Sequence, residues 1–269
     1  MGSTTRTDRS GIVTRVAAPG VVTVTVDYPP VNAIPSAGWF ELAEKITAAG
    51  ADPGTHVVVL RAEGRGFNAG VDIKEMQATE GYDALIGANR GCAAAFAAVY
   101  DCAVPVVVAV NGFCVGGGIG LVGNADVIVA SDDAVFGLPE VDRGALGAAT
   151  HLARLVPQHM MRTLYFTAQN VDAHTLERLG SVHKVVPRAD LDATALEVAG
   201  AIAAKDTRVI RAAKEAINGI DPVDVKTSYR LEQGFTFELN LAGVADEHRD
   251  EFVATGKPRS NDKEVNDHA

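Results

Sequence analysis

Apolar residues recur along this chain in two rhythms, and the switches between them mark out its elements. Ile12 to Ala17 and Val21 to Val26 alternate or run β-branched on either side of Ala-Pro-Gly, which predicts a hairpin. Pro29-Pro-Val-Asn-Ala-Ile-Pro35 then holds the chain at fixed φ, and Ser36 is placed to cap a helix whose Phe40, Leu42, Ala43 and Ile46 precede Gly50. A strand from His56 to Arg61 follows, so the order opens β-β-α-β. Tyr82 to Tyr100 is alanine-rich and helical, Val104 to Val110 and Asp126 to Ala130 read as buried strands, and Gly116 to Asn124 between them reads as a helix. Strands alternating with helices over 56–130 imply a largely parallel sheet built from βαβ crossovers, hence an α/β fold.

Beyond the turn-rich stretch Phe136 to Gly147 the pattern becomes helical, at His151 to Leu155, Gln158 to Thr167, Asp172 to Leu179, Leu191 to Ala204 and Thr207 to Asn218. One short strand, His183 to Val186, interrupts it. Asp221 to Ala254 is helical as well and carries Phe235, Phe237, Leu239, Leu241 and Phe252, more apolar surface than a terminal arm hides by itself. That surface is expected to pack on a neighbouring subunit. The division expected is a core over 11–200 and a C-terminal helical oligomerisation region over 201–255. The polar or charged tails at 1–10 and 256–269 are expected to be disordered.

Composition narrows the function without choosing it. The 269 residues, 47% hydrophobic and 22% charged, leave room for one large domain with a smaller appendage. A formal net charge of -10 with no compensating Lys/Arg block opposes binding to nucleic acid or to an anionic membrane. The longest apolar runs, such as Val104 to Val110, fall far short of the ~20 residues of a membrane span, and Met1 to Ser10 has no signal-peptide core. A cytoplasmic protein is expected. Cys92, Cys102 and Cys114 show neither C-x-x-C nor zinc-type spacing, which suits reduced core thiols and no metal site.

The densest chemical signal is Val108 to Asp126, where an apolar β-branched run feeds Gly116, Gly117 and Gly118 and then a second apolar run. Without β-carbons, such a turn can take positive φ and let another group approach its N–H donors closely. Gly118-Ile-Gly-Leu-Val-Gly123 also matches the dinucleotide fingerprint G-x-G-x-x-G, although that motif's first glycine should make the turn, which Gly116 and Gly117 already make. A plain glycine-rich loop is the third reading. A second glycine-rich turn, Arg61 to Met76, again joins a strand to a helical segment.

With both turns in view, the chain resembles the crotonase superfamily, also called the enoyl-CoA hydratase/isomerase family. The markers stand in order: Pro29-Pro-Val-Asn-Ala, Gly66-Phe-Asn-Ala-Gly-Val-Asp-Ile-Lys-Glu-Met, Val110-Asn-Gly-Phe-Cys-Val-Gly-Gly-Gly, Asn124-Ala-Asp and Phe136-Gly-Leu-Pro-Glu-Val. The resemblance implies a spiral of ββα units and a C-terminal helical region that trimerises, giving a homotrimer or hexamer. It implies acyl-CoA thioesters as substrates, with coenzyme A arriving as part of the substrate and no tightly bound cofactor. It also implies two backbone N–H groups, here Val71 and Gly117, that stabilise an oxyanion on the thioester carbonyl. Fixed dipoles suit that task because they need not reorganise as charge develops. Lys74 matches a residue near CoA phosphates; Ala69 and Asp72 belong to the same loop, where Asp72 alternatively serves only to order it.

One departure matters. Hydratases of this family use two glutamates, and here the second is Glu140 while Gly120 occupies the position of the first. A glycine moves no proton, so two-carboxylate hydration is in doubt. The missing side chain is expected to vacate volume beside the thioester and admit a bulkier acyl group. Asp142 is a candidate second carboxylate, His151 a candidate pocket residue, and Arg143 either holds a carboxylate or faces solvent. The blocks Phe67-Asn-Ala-Gly-Val-Asp, Gly116-Gly-Gly-Ile-Gly-Leu-Val-Gly and Glu232-Gln-Gly-Phe-Thr-Phe-Glu-Leu-Asn resemble an actinobacterial branch associated with hydrolytic ring opening of keto-acyl-CoA in sterol degradation. The alternatives are an enoyl-CoA hydratase or isomerase working with Glu140 alone, and a non-catalytic CoA-binding subunit.

Overall fold

The computed structural model describes residues 11–257, so the two expected tails lie, but for Gly256 and Lys257, outside the described residues. The N-terminal hairpin forms as expected from β1 (Gly11–Ala18) and β2 (Val21–Asp27), and the chain then runs through α1 (Ser36–Ala51) into β3 (Val57–Ala62). The second glycine-rich turn leads to α2 (Ile73–Ala78), followed by α3 (Asp83–Tyr100) and β4 (Val106–Val110). Next come β5 (Phe113–Val115), α4 (Gly117–Val122), β6 (Val127–Ser131) and β7 (Val135–Gly137).

Six strands join in one sheet in the order β1-β2-β3-β4-β6, closed by β9 (Lys184–Val186). Only the β1–β2 pair is antiparallel; the other pairs are parallel, as the crossovers require. Alternation along these strands feeds two cores. Val57, Val59, Val107, Ala109 and Val129 meet α8 (Leu191–Ala203) through Leu191, Ala195 and Ala199. Val58, Leu60, Val106, Val108 and Val110 point the other way into a larger core with α1 and α3.

A second sheet was not legible in the sequence. β5 pairs parallel with β7, which pairs antiparallel with β8 (Val171–Asp172). Strands of two or three residues give no alternation to read, and their ladder is made by partners remote in sequence. Between β7 and β8 lie a 3-10 turn at Val141–Arg143, α5 (Ala149–Leu152) and α6 (Gln158–Thr167), and α7 (Ala173–Leu179) leads from β8 to β9. The chain closes with α9 (Thr207–Gly219), α10 (Val225–Leu241) and α11 (Val244–Thr255), the last two separated by Gly243 at φ 77.

One expectation is corrected here. Ser36 does not cap α1 with its own side chain; its N–H and hydroxyl donate to Glu75 Oε2 of α2 at 2.7 and 2.8 Å. A carboxylate from another element therefore takes up the positive end of this helix. The C-terminal helices bury one face against their own chain and leave apolar residues of another exposed. In α10, Val225, Tyr229, Gln233, Thr236 and Asn240 are buried at helical spacing, whereas Leu231, Phe235 and Leu241 stay exposed.

Candidate active site

The two glycine-rich turns touch. Gly70 adopts φ +86, and a β-carbon there would lie 3.4 Å from the Gly117 nitrogen. Gly116 adopts φ 60 and ψ -123, a conformation open to glycine alone, and starts α4. Asparagines fix this arrangement. Asn68 Oδ1 accepts the Gly70 N–H at 2.8 Å while its amide donates to the Asn32 carbonyl at 2.8 Å. Asn32 in turn donates to the carbonyls of Glu63 and Gly66, both at 2.8 Å. Both side chains are buried, so each bond replaces one that water would otherwise supply.

That bracing orients the donors. In the parallel bridge between Ile34 and Val71, Ile34 uses the Gly70 carbonyl and the Asp72 N–H, which turns the Val71 N–H the other way. The Gly117 N–H opens α4 and has no partner within the helix. Among the described residues neither N–H is donated to a backbone carbonyl, and both residues line one cleft of about 900 Å³ counting its mouth. Two unpaired donors side by side in a largely apolar cleft are suited to receive one developing oxyanion.

Glu140 lies across Gly116. A β-carbon on Gly116 would come 3.1 Å from Glu140 Oε1, while Oε2 is out of solvent and without a hydrogen-bond partner. Burial drives the carboxyl pKa up to about 8, opposed in part by the Arg143 guanidinium. Glu140 is the only carboxylate among the residues lining the cleft. Arg143 lines it too and lies over the Phe252 ring at 4.1 Å, its own pKa lowered by burial.

Gly120 corrects an expectation. No volume is vacated there: a β-carbon would meet Phe96 ring carbons at 2.2 Å, and Gly120 does not line the cleft. Phe96 forms an aromatic block with Trp39, His151 and Tyr229 at centroid distances of 5.8, 5.1 and 5.0 Å. His151 is a member of that block rather than of the cleft wall; burial lowers its pKa to about 3, so it stays neutral, and Nδ1 has no partner. The dinucleotide fingerprint falls for a similar reason. Its glycines Gly118, Gly120 and Gly123 face Cys114, Phe96 and His151 instead of an open phosphate site.

Asp142 stands on the 3-10 turn and does not line the cleft; its backbone carbonyl accepts from His248 Nδ1 at 3.1 Å. Ala69 lines the cleft. Asp72 caps α2, accepting the Lys74 N–H at 2.9 Å, and the Lys74 side chain is exposed outside the cleft wall.

The rest of the wall escaped sequence reading. Cys92 of α3 faces the cleft with its thiol pKa raised by burial and by Glu140. Tyr229, Thr236 and Asn240 of α10 and Arg249 of α11 complete it. They are fastened by a polar seam: Glu232 accepts the N–H groups of Ala149 and Thr150 at 2.7 and 2.8 Å, and the Thr236 hydroxyl accepts the Leu146 N–H at 3.0 Å. The polar residues Gln233, Thr236 and Asn240 share the helical spacing of the buried face, a signal overshadowed by the exposed Phe and Leu between them.

The mixed α/β architecture agrees with the comparisons. The enoyl-CoA hydratase/isomerase family profile matches residues 17–259, and the chain belongs to that family. It is 82% identical over 251 residues, 93% of this chain and 97% of the relative, to the (7aS)-7a-methyl-1,5-dioxo-2,3,5,6,7,7a-hexahydro-1H-indene-carboxyl-CoA hydrolase of Rhodococcus jostii. The protein of the same description from Mycobacterium tuberculosis is 75% identical over 90% of this chain and 98% of its own. Among solved structures, an enoyl-CoA hydratase/isomerase from Xanthobacter autotrophicus superposes with TM-score 0.82 at 26% identity, covering 92% of this chain and 94% of that one.

Proposed function

We propose that this protein hydrolyses a carbon–carbon bond in the ring of a bulky cyclic keto-acyl-CoA, as a cytoplasmic step of sterol breakdown. The observation that carries the proposal is the one carboxyl lining the cleft, Glu140, set against the oxyanion turn while aromatic packing surrounds Gly120. Two relatives more than 70% identical, both hydrolases of an indene-carboxyl-CoA with two oxo groups, support the same substrate class.

In this reading Glu140 takes a proton from water as the water oxygen bonds to the ring ketone carbon. The adjacent carbon–carbon bond then breaks, its electron pair passing into the carbon conjugated with the thioester. The resulting enolate oxygen sits between the N–H groups of Val71 and Gly117, where losing one donor costs on the order of 3 kcal/mol of barrier. Glu140 returns the proton to that carbon, and the opened arm ends in a carboxyl group. One water is consumed, and the CoA carried by the substrate is the only cofactor the chemistry asks for. Lys74, beside the cleft mouth, meets the CoA phosphates, with Ala69 contributing backbone and Asp72 acting through the cap of α2. The exposed Leu231, Phe235 and Leu241 provide the contact for a homotrimer or hexamer.

Mass spectrometry of the enzyme with a bicyclic keto-indane CoA thioester tests this. Gain of one water, lost in Glu140→Gln, is expected; an unchanged thioester, or brisk hydration of crotonyl-CoA instead, overturns it in favour of a hydratase. Retention of cellular ring-degrading activity in Glu140→Gln cells would favour a non-catalytic CoA-binding role.

A further inference from the structure

The cleft wall holds more positive charge than the ring-opening step uses. Besides Glu140, its charged members are Arg143 and Arg249. Arg249 is already engaged: Nη1 donates to Asn240 Oδ1 at 2.9 Å and Nη2 to Asp246. Arg143 is held differently. Its guanidinium carbon lies 4.1 Å from the centroid of the Phe252 ring, and the charges acting on it most are Glu140, three residues back, and its neighbour Asp142, which stands off the cleft. The ring steadies the group, no side-chain hydrogen bond or ion pair among the described residues holds its N–H groups, and a guanidinium fork can take a carboxylate with two parallel bonds. Glu140, the one carboxyl lining the cleft beside Arg143, holds its proton below about pH 8, so within the cleft wall the guanidinium then faces no carboxylate.

We propose that Arg143, steadied by Phe252, forms a carboxylate subsite at the acyl end of the cleft and holds the carboxylate that ring opening creates. The position rests on the ring-opening reading for the origin of that carboxylate, but the binding preference itself does not. Arg143 lies next to the reacting carboxyl rather than out by Lys74, so the anion it meets belongs to the acyl group and not to the CoA phosphates. Before the bond breaks, the same fork faces the ring ketone oxygen. After it breaks, the gained charge draws the opened arm away from the enolate carbon, so that the arm does not close back onto it.

Calorimetric titration of the full chain with pimeloyl-CoA, its ω-methyl ester and hexanoyl-CoA tests this. Wild type is expected to bind the free acid at least about tenfold more tightly than the ester, the usual size of a charge-assisted bidentate contact. Arg143→Gln should bind acid and ester alike, Arg143→Lys should keep part of the preference, and Arg249→Gln should keep it all, with hexanoyl-CoA affinity the same in each. Equal binding of acid and ester by wild type overturns the subsite. So does a preference that survives in Arg143→Gln, or one lost in Arg249→Gln alone. If Arg143→Gln does not fold, an undiminished preference in Arg143→Lys together with Phe252→Leu overturns it. The ring-opening assay separates the two readings: wild type that opens the ring without preferring the acid sinks only the subsite, and wild type that prefers the acid but leaves the ring closed sinks only the ring opening.

Discussion

The two flanks of the turn at Gly116 and Gly117 have opposite characters. On one side Glu140 brings an unpaired carboxyl oxygen into an apolar cleft, and burial raises its pKa to about 8. On the other, where the family's first glutamate would stand, Gly120 admits the edge of Phe96, and His151 and Tyr229 close around that ring. One flank holds the costly ionisable group that the proposed reaction uses; the other is close-packed aromatic surface. A buried charge without a partner is among the most expensive features a fold can carry. A cleft lined by a single carboxyl suits reactions that one acid–base group can run.

The largest break in this contrast should come from Glu140→Gln, which leaves the shape and removes the base. Steady-state assays of ring opening should show kcat lower by about 10²–10⁴-fold, the usual range for a general base, with substrate affinity nearly kept. The same group sets a pH signature. In wild type kcat/KM should rise with pH and level off near 8, because only ionised Glu140 accepts the proton from water.

Stability should run the other way. The folded carboxyl holds its proton between 4.5 and about 8, where the unfolded chain releases it, so unfolding is favoured as pH climbs through that window. The thermal midpoint of wild type should therefore fall from pH 5 to pH 9 relative to Glu140→Gln, and equal slopes would deny that the group is buried.

A smaller effect should follow Gly120→Ala on the aromatic flank. One added carbon 2.2 Å from Phe96 forces that ring to move, and overpacking of this kind costs about 1–3 kcal/mol. Denaturant titration measures it, and Phe96→Leu in the same chain should restore most of the loss. The smallest effect is expected from His151→Phe. With a pKa of about 3 the imidazole is neutral throughout the working range, so the inflection of kcat/KM near pH 8 should stay in place. A shift of that inflection would bring His151 back into the chemistry.

Both turns were legible because their demands are local. Gly116 must adopt a conformation closed to other residues, Asn68 bonds the N–H two positions on, and the strands entering both turns carry their own period. Asn32 and Asn68 were visible as family markers, but the bonds that explain them cross more than thirty residues. Glu140 was identified by its block, yet its raised pKa depends on walls from α3, α10 and the turn at Gly116. Gly120 was read as empty space because a sequence records the side chain that is missing and not the one that moves in.

The sequence by itself determined a largely parallel sheet and the places of its two glycine-rich turns, while Val71, Gly117 and Glu140 were picked out by resemblance to the family. The sheet and the turns follow from side-chain period and from backbone conformations that only glycine tolerates. Only the tertiary structure decided that Phe96 fills the space at Gly120, that His151 is a neutral packing residue, and that α10 and α11 wall the cleft with Tyr229, Asn240 and Arg249. Those outcomes depend on close packing between segments far apart in the chain, where each side chain takes whatever volume its neighbours leave.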